Sequence, residues 1–275
     1  MISPRMPLRT ALALAVIAIC GVLVGELCEA GVDFIKDDEC CGNPAHAPTP
    51  DRIRAVMQRV RQWQDRSGKR VMVAFNISDE HDAMLGHADL VAQEGGSCVM
   101  VSLNWVGFSS LQALRRRTDL AIHGHRNGFG MFSRHPALGM DFRPYQLLWR
   151  LAGVDHMHVH GLQGKFSQPD EEVVESARDC LTPLADAADR DDVVMPAFSS
   201  GQWAGTLPAT LAAVPSGDLM FMCGGGILAH PGGASAGVTS LRQAWAAVRA
   251  GESLQSAAAH ARELRDALAF FGAKH

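Results

Sequence analysis

The sequence predicts an α/β chain, a (β/α)₈ barrel of the TIM type whose first strand is truncated or degenerate. Short apolar runs alternate with longer helix-periodic segments, and no linker or low-complexity tract interrupts them. Residues able to carry chemistry fall where the apolar runs end, which is where barrels of this type place their active sites. The 275 residues, 47% hydrophobic and 20% charged, suffice for one such barrel with a large core. A doubly wound open sheet is the alternative, but no GxGxxG follows an early strand.

In chain order, residues 1–30 read as a degenerate first βα unit, with a strand squeezed into Met1–Met6 and an apolar helix after it. Arg5 and Arg9 ahead of the apolar run from Ala11 to Val24 also resemble a signal-peptide core. The run is short for a membrane span, no small-x-small cleavage site follows it, and Ile19 before Cys20 spoils a lipoprotein reading. Glu26-Leu27-Cys28-Glu29-Ala30-Gly31 reads instead as a last helical turn and its glycine stop, so a buried barrel helix is preferred to export. The barrel proper spans residues 31–275. Its strands are expected at Val32–Lys36, Val71–Asn76, Cys98–Leu103, Leu120–His125, Val154–His158, Val193–Phe198 and Leu219–Cys223. Helices are expected at Arg52–Trp63, Ala83–Gln93, Tyr145–Leu151, Glu171–Ala188, Leu207–Ala213 and Leu241–Arg249.

A net charge of -4 with both signs dispersed gives no reason to expect nucleic acid as a partner, and Arg115-Arg116-Arg117 reads as a solvated helix end. No membrane partner is expected. Seven cysteines, an odd number scattered in apolar contexts, point to reduced thiols and a cytoplasmic location, with export as the alternative. Cys40 and Cys41 are adjacent, but no CxxC spacing supports a metal or disulfide role.

The stretch Gly31-Val32-Asp33-Phe34-Ile35-Lys36-Asp37-Asp38-Glu39 runs an apolar strand into a lysine and three carboxylates. Carboxylates supply the hard oxygen ligands that Mg²⁺ prefers, and a neutral lysine amine can take up CO₂ as a carbamate, a further oxygen ligand. A charged loop is the plain alternative. Other strand ends carry Asn76, His125 with Arg126, His158, Ser199 with Gly201, and Gly224 with Gly225. Glycine lets backbone amides approach an anion closely, so Gly201, Gly224 and Gly225 are candidate phosphate donors, or else tight turns. Arg126 can clamp phosphate with its planar fork, with His158 and Ser199 adding hydrogen bonds. The HxH patterns could chelate zinc, but with carboxylates already gathered after Ile35, His125 and His158 read as acid-base or hydrogen-bonding groups. His123, His156 and His160 read as packing or supporting residues. Lys165, after Gly161-Leu162-Gln163-Gly164, can belong to a lid whose cation meets a carboxylate; a surface lysine is the plain reading.

From about Gly31 to the C-terminal helices the chain resembles the catalytic domain of the ribulose-bisphosphate carboxylase large chain, and more closely its RuBisCO-like relatives. GVDFIKDDE resembles the carbamylated-lysine motif, implying Lys36 as carbamate and Asp38 and Glu39 as Mg²⁺ ligands. HGHRNGFG carries over His125 and the phosphate-binding Arg126, and GVDHMHVHGLQGK carries over His158 and Lys165. PAFSSGQ and CGGGILAHP resemble the two phosphate loops, with Ser199, Gly201, Gly224 and Gly225. The family usually forms dimers and carries an N-terminal α+β domain, which has no counterpart here. Where its first barrel strand places a catalytic lysine before proline, the nearest match is Ser3-Pro4-Arg5, which argues against true CO₂ fixation. RNGFG and PAFSSGQW look like the branch that degrades branched sugar acids, implying decarboxylation or transcarboxylation of a phosphorylated 3-oxo-isoapionate. Enolisation of a phosphorylated ketose, as in the methionine-salvage branch, and an inactive truncated barrel are the alternatives.

Overall fold

A computed structural model describes residues 21–135, 137–164, 168–184 and 192–273, in two compact units, Met1–Asp155 and His156–His275. The strand expected at Met1–Met6, the apolar run through Cys20, Lys165, and residues 185–188 of the helix expected at Glu171–Ala188 lie outside the described residues. Among the described residues, no helix is long and apolar enough to cross a membrane.

In the first unit, helix α1 covers residues 21–30 and stops at Gly31, whose φ of 91° is one that glycine adopts without steric cost. Strands β1 (Phe34–Lys36), β2 (Met72–Asn76), β3 (Cys98–Ser102) and β4 (Ala121–His125) pair in parallel in that order. Every residue of β3 is buried, as expected of a parallel strand covered on both faces. Ala74, Cys98 and Met100 form one cluster with Phe34, Met72 and Ala121. The connecting helices are α2 (Thr49–Ser67), α3 (His81–Gln93) and α4 (Leu103–Arg117), followed after β4 by the single turn α5 (Gly130–Ser133) and by α6 (Phe142–Ala152).

Helix α2 buries Ile53, Val56, Met57 and Val60 at helical spacing, and Arg52 on the same face. Burying a guanidinium is costly unless its donors are used, and here they organise the loop that leaves β1. Arg52 donates from Nη1 to the Ala47 carbonyl at 2.6 Å and from Nη2 to Asp37 Oδ2 at 2.8 Å. The same Nη2 reaches the carbonyls of Cys41 and Gly42, each at 3.0 Å.

In the second unit, β5 (His156–His160), β6 (Met195–Phe198) and β7 (Met220–Phe221) pair in parallel, with a register irregularity between His158 and His160. Helices α7 (Asp170–Leu181), α8 (Leu207–Ala213), α9 (Gly224–Leu228), α10 (Gly233–Arg249), α11 (Leu254–Ala258) and α12 (Arg262–Gly272) complete it. Trp203, Leu207, Leu211, Leu254 and Leu264 form one core cluster with the small faces of Ala244, Ala247 and Ala267. Gly161, just past β5, lies so close to the loop after β6 that a methyl group there would run into the Gln202 amide and the Ser199 carbonyl.

All seven strands expected after residue 30 are present, β5 displaced two residues toward the C-terminus. α5 and α9 are helices where none was expected, α4 was anticipated only through its charged end at Arg115-Arg116-Arg117, and α11 and α12 only as C-terminal helices without bounds.

Two stability changes follow from these contacts. Arg52→Met should cost about 3 kcal/mol, because it takes the guanidinium from the Asp37 carboxylate and a donor from three loop carbonyls at once; equal urea midpoints for variant and parent would contradict the anchoring role. Gly161→Ala should cost about 2 kcal/mol through overpacking against fixed backbone, read as a lower melting temperature.

Candidate active site

In the first unit the Asp37 N–H donates to the Ala74 carbonyl at 3.0 Å, extending the β1–β2 ladder one residue past Lys36. Lys36 then reaches sideways, its Nζ donating to the Asp37 carbonyl at 2.7 Å and to Glu39 Oε2 at 2.8 Å. His125, from the end of β4, places Nε2 3.6 Å from the same Glu39 oxygen. Lys36, Glu39 and His125 are therefore brought together, although they lie up to 89 positions apart in sequence.

The turn that carries the carboxylates is fixed by β2 and β3. Asn76, fully buried, donates from Nδ2 to the carbonyls of Asp38 and Glu39 at 3.0 and 3.2 Å, and Ser102 Oγ donates to the Glu39 carbonyl at 3.4 Å. Asn76, a substrate-binding candidate in the sequence, also clamps the backbone of that turn. Asp38 is the residue not drawn into the cluster: it is exposed, and its Oδ1 accepts the Cys40 N–H at 2.8 Å.

The electrostatics separate the roles of the two titrating groups. Burial raises the Glu39 pKa, but the hydrogen bond and charge of Lys36 and the charge of His125 outweigh it, so Glu39 is held below its ordinary value. Burial pushes His125 down to about 4, with the Lys36 charge adding and the Glu39 charge opposing. A neutral imidazole follows at neutral pH. Its Nδ1 accepts the Asn127 N–H at 3.2 Å, so the ring proton sits on Nε2, the nitrogen facing Glu39.

Among the described residues, no group of three His, Cys, Asp or Glu side chains stands ready to hold a metal ion. The donor set implied by the sequence differs in kind, since one of its three members is an amine that becomes an oxygen donor only on reaction with CO₂. That set fits a hard divalent cation: Glu39 is anionic, it touches the Lys36 amine, and Asp38 carries a second oxygen beyond the one bound to Cys40.

Arg126 follows His125 and is buried, its guanidinium 3.9 Å from the Phe142 ring centroid and 5.0 Å from that of Phe129. Burial lowers its pKa to about 9, which leaves it cationic at neutral pH. It is a charge already stripped of water, suited to a phosphate.

In the second unit, His158 is buried and its Nδ1 lies 3.0 Å from Ser199 Oγ. Gly201 adopts a φ of 88°, following Ser200 at 70°. Gly224 and Gly225 open α9, where the first helical amides have no partner inside the helix, and a methyl group on either would meet nothing within 4 Å. The backbone there is open to an approaching ligand. Two supporting residues escaped the sequence reading. Arg52 enters it only as the first residue of the expected helix Arg52–Trp63, and Gln202 only as part of the PAFSSGQ motif. Gln202 instead donates to the Leu162 carbonyl at 3.1 Å and accepts from Thr206 Oγ1 at 3.0 Å, tying the loops after β5 and β6 together.

The sequence model of the ribulose bisphosphate carboxylase large chain, catalytic domain, matches residues 17–271. The chain is 45% identical over 251 residues to a 3-oxo-isoapionate-4-phosphate decarboxylase of Rhizobium etli, covering 90% of this chain and 60% of that protein. It is 49% identical over 248 residues to a 3-oxo-isoapionate-4-phosphate transcarboxylase/hydrolase of Xanthobacter autotrophicus, covering 90% and 59% respectively. The crystal structure of a rubisco-like protein from Burkholderia fungorum superposes with a TM-score of 0.86 at 69% identity, covering 91% of this chain and 61% of that one. The chain thus spans about three fifths of the length of each of these relatives. The α/β, TIM-barrel-like fold read from the strand–helix alternation is the fold of that structure. Fold, motif order and identity agree, and the chain belongs to the ribulose-bisphosphate carboxylase large-chain family, among its RuBisCO-like proteins.

Proposed function

We propose that this chain carries the chemistry of a Mg²⁺-dependent carbon–carbon lyase that removes or transfers the carboxylate of 3-oxo-isoapionate 4-phosphate or a close analogue. The observation that carries the proposal is the Lys36–Glu39 contact of 2.8 Å beside His125. The names of two relatives at 45% and 49% identity support the substrate class.

Lys36 as a carbamate, Asp38 and Glu39 would hold the cation, which when bound supplies Lewis-acid stabilisation of negative charge on a keto oxygen. Asn76 and Ser102 keep the turn bearing Asp38 and Glu39 in place through its carbonyls. In the first unit Arg126 would bind phosphoryl oxygens as a fixed cation. In the second, the amides of Gly201, Gly224 and Gly225 would donate hydrogen bonds to phosphate, while the Ser199 hydroxyl faces His158 Nδ1. A β-keto carboxylate that loses CO₂ leaves a carbanion, which takes a proton at carbon. His158 is the proposed donor, because His125 is held neutral with its one proton directed at Glu39. Lys165 would orient the departing carboxylate.

The test is CO₂ release from 3-oxo-isoapionate 4-phosphate. Lys36→Ala should reduce turnover at least about 10³-fold, and dependence on Mg²⁺ and bicarbonate should vanish with it. Full turnover by that variant would overturn the reading.

His125 also gives a pH signature. Its folded pKa of about 4 lies below the ordinary 6.5, so the unfolded chain takes up this proton first as pH falls. Stability from this group is complete above 6.5 and is lost between 6.5 and about 4. His125→Asn should flatten the melting-temperature profile in that window; an unchanged slope would show that the imidazole is not buried neutral.

A further inference from the structure

Three non-glycine residues of the second unit sit in the left-handed backbone region, Gln163 with a φ of 52° and His160 and Ser200 with a φ of 70°, and the last two face each other. Side chains rarely adopt this conformation, and residues held in it collect at functional sites. His160 and Ser200 end β5 and begin the loop after β6, and His160 Nδ1 lies 3.1 Å from Ser200 Oγ. Ser200 Oγ is 3.4 Å from Ser199 Oγ, which is 3.0 Å from His158 Nδ1. The four side chains form one continuous chain of exchangeable protons, His160–Ser200–Ser199–His158.

We propose that this chain is a proton relay that recharges His158, with Ser200 and His160 as positioning residues for its tautomer. The inference rests on the reading of His158 as the proton donor. In the charged-up state, His160 Nδ1–H donates to Ser200, Ser200 to Ser199 and Ser199 to His158 Nδ1, so the His158 proton resides on Nε2. When Nε2 gives that proton to the substrate carbon, the Ser199 proton moves to His158 Nδ1. The Ser200 proton moves to Ser199 and the His160 Nδ1 proton to Ser200. A solvent proton then enters at His160 Nε2. One proton enters, one leaves, and no side chain retains a charge. After turnover each hydrogen bond points the other way, and rotation of the hydroxyls with imidazole re-protonation restores the start. Glycine at either position would relieve the backbone, so a purely structural pair would gain nothing from these side chains.

The test compares the parent with Ser200→Gly, His160→Gly and His160→Gln. Both glycine variants should keep or raise the melting temperature while kcat falls about 10²-fold with KM little changed. Added imidazole should restore part of the activity of His160→Gly but none of Ser200→Gly. His160→Gln, which can keep a hydrogen bond but cannot pass a proton, should remain slow. Undiminished kcat in the glycine variants would overturn the relay. An independent readout uses ¹⁵N-histidine NMR of the full chain without substrate. The His158 nitrogen shifts should respond to Ser200→Gly, and identical shifts would overturn the relay whatever the substrate. If the shifts respond but the parent releases no CO₂ from the sugar-acid phosphate, the relay stands and the lyase reading fails.

Discussion

The contact between Lys36 Nζ and Glu39 Oε2, 2.8 Å, sets the character of the first unit's strand ends. A partly buried ammonium beside a carboxylate is stable only if something fixes both groups, because each has lost water it would otherwise keep. Here the fixing is done through the backbone. Arg52 holds Asp37 and the carbonyls of Cys41 and Gly42, while Asn76 holds the carbonyls of Asp38 and Glu39. The turn between them therefore has little freedom, and the Glu39 carboxylate stays near the lysine. Carbamylation of Lys36 would replace this cation–anion contact by two adjacent anions, which repel unless a cation joins them. In the proposed reading the balance is tipped by cation binding, which rewards three anionic donors together and none of them alone.

His125 fits the same logic from the other side. Placed by β4 near Glu39, it could have been a second cation competing with Lys36. Burial and the Lys36 charge keep it neutral instead, and the Asn127 N–H fixes its tautomer. The cluster holds one positive and one negative charge and a polarised neutral ring.

Much of this was legible in the sequence, and the reasons are physical. Parallel strands buried on both faces read as unbroken apolar runs, so Cys98–Ser102 and Met72–Asn76 stand out without any alignment. The strand-end positions of Lys36, His125 and Ser199 followed from those runs, whereas His158, read as a strand end, lies in the middle of β5. Helix α4 was legible only at its charged end, Arg115-Arg116-Arg117, because it starts directly after β3 with no turn residue and is kinked at Gly107, whose φ of 74° breaks the helical period. Helix α9 was not legible, since Gly224-Gly225-Gly226 has the poorest intrinsic helix propensity short of proline; at Gly226 a methyl group would collide with Gln202 and Trp203, so the glycine there is demanded by packing. Arg52 was missed because charge in a helical pattern signals solvent, and only the folded loop shows carbonyls turned inward to meet it. The left-handed conformations of His160 and Ser200 leave no trace in residue type, which would have suggested glycine.

Arg126 shows how selectivity for an anion can come from the surroundings of one cation. In water a guanidinium is hydrated, and a phosphate must displace that water before it gains anything. Arg126 has made most of that change on folding, packed over the rings of Phe142 and Phe129, with burial lowering its pKa to about 9. An arriving phosphate therefore meets a charge with less solvent left to lose, whereas a neutral hydroxyl gains only an ordinary hydrogen bond there. The rings that strip the charge are themselves held. Tyr145 packs on Phe129 and Phe142 and donates to Asn104 Oδ1 at 3.0 Å, and Asn104 donates to the Asn127 carbonyl at 2.8 Å. The loop after β4 is thus tied to both α4 and α6, and the cation's position depends on packing that a surface arginine lacks. Replacing either phenylalanine by a small residue would rehydrate Arg126 without touching its charge, and discrimination between phosphate and hydroxyl should fall for that reason alone.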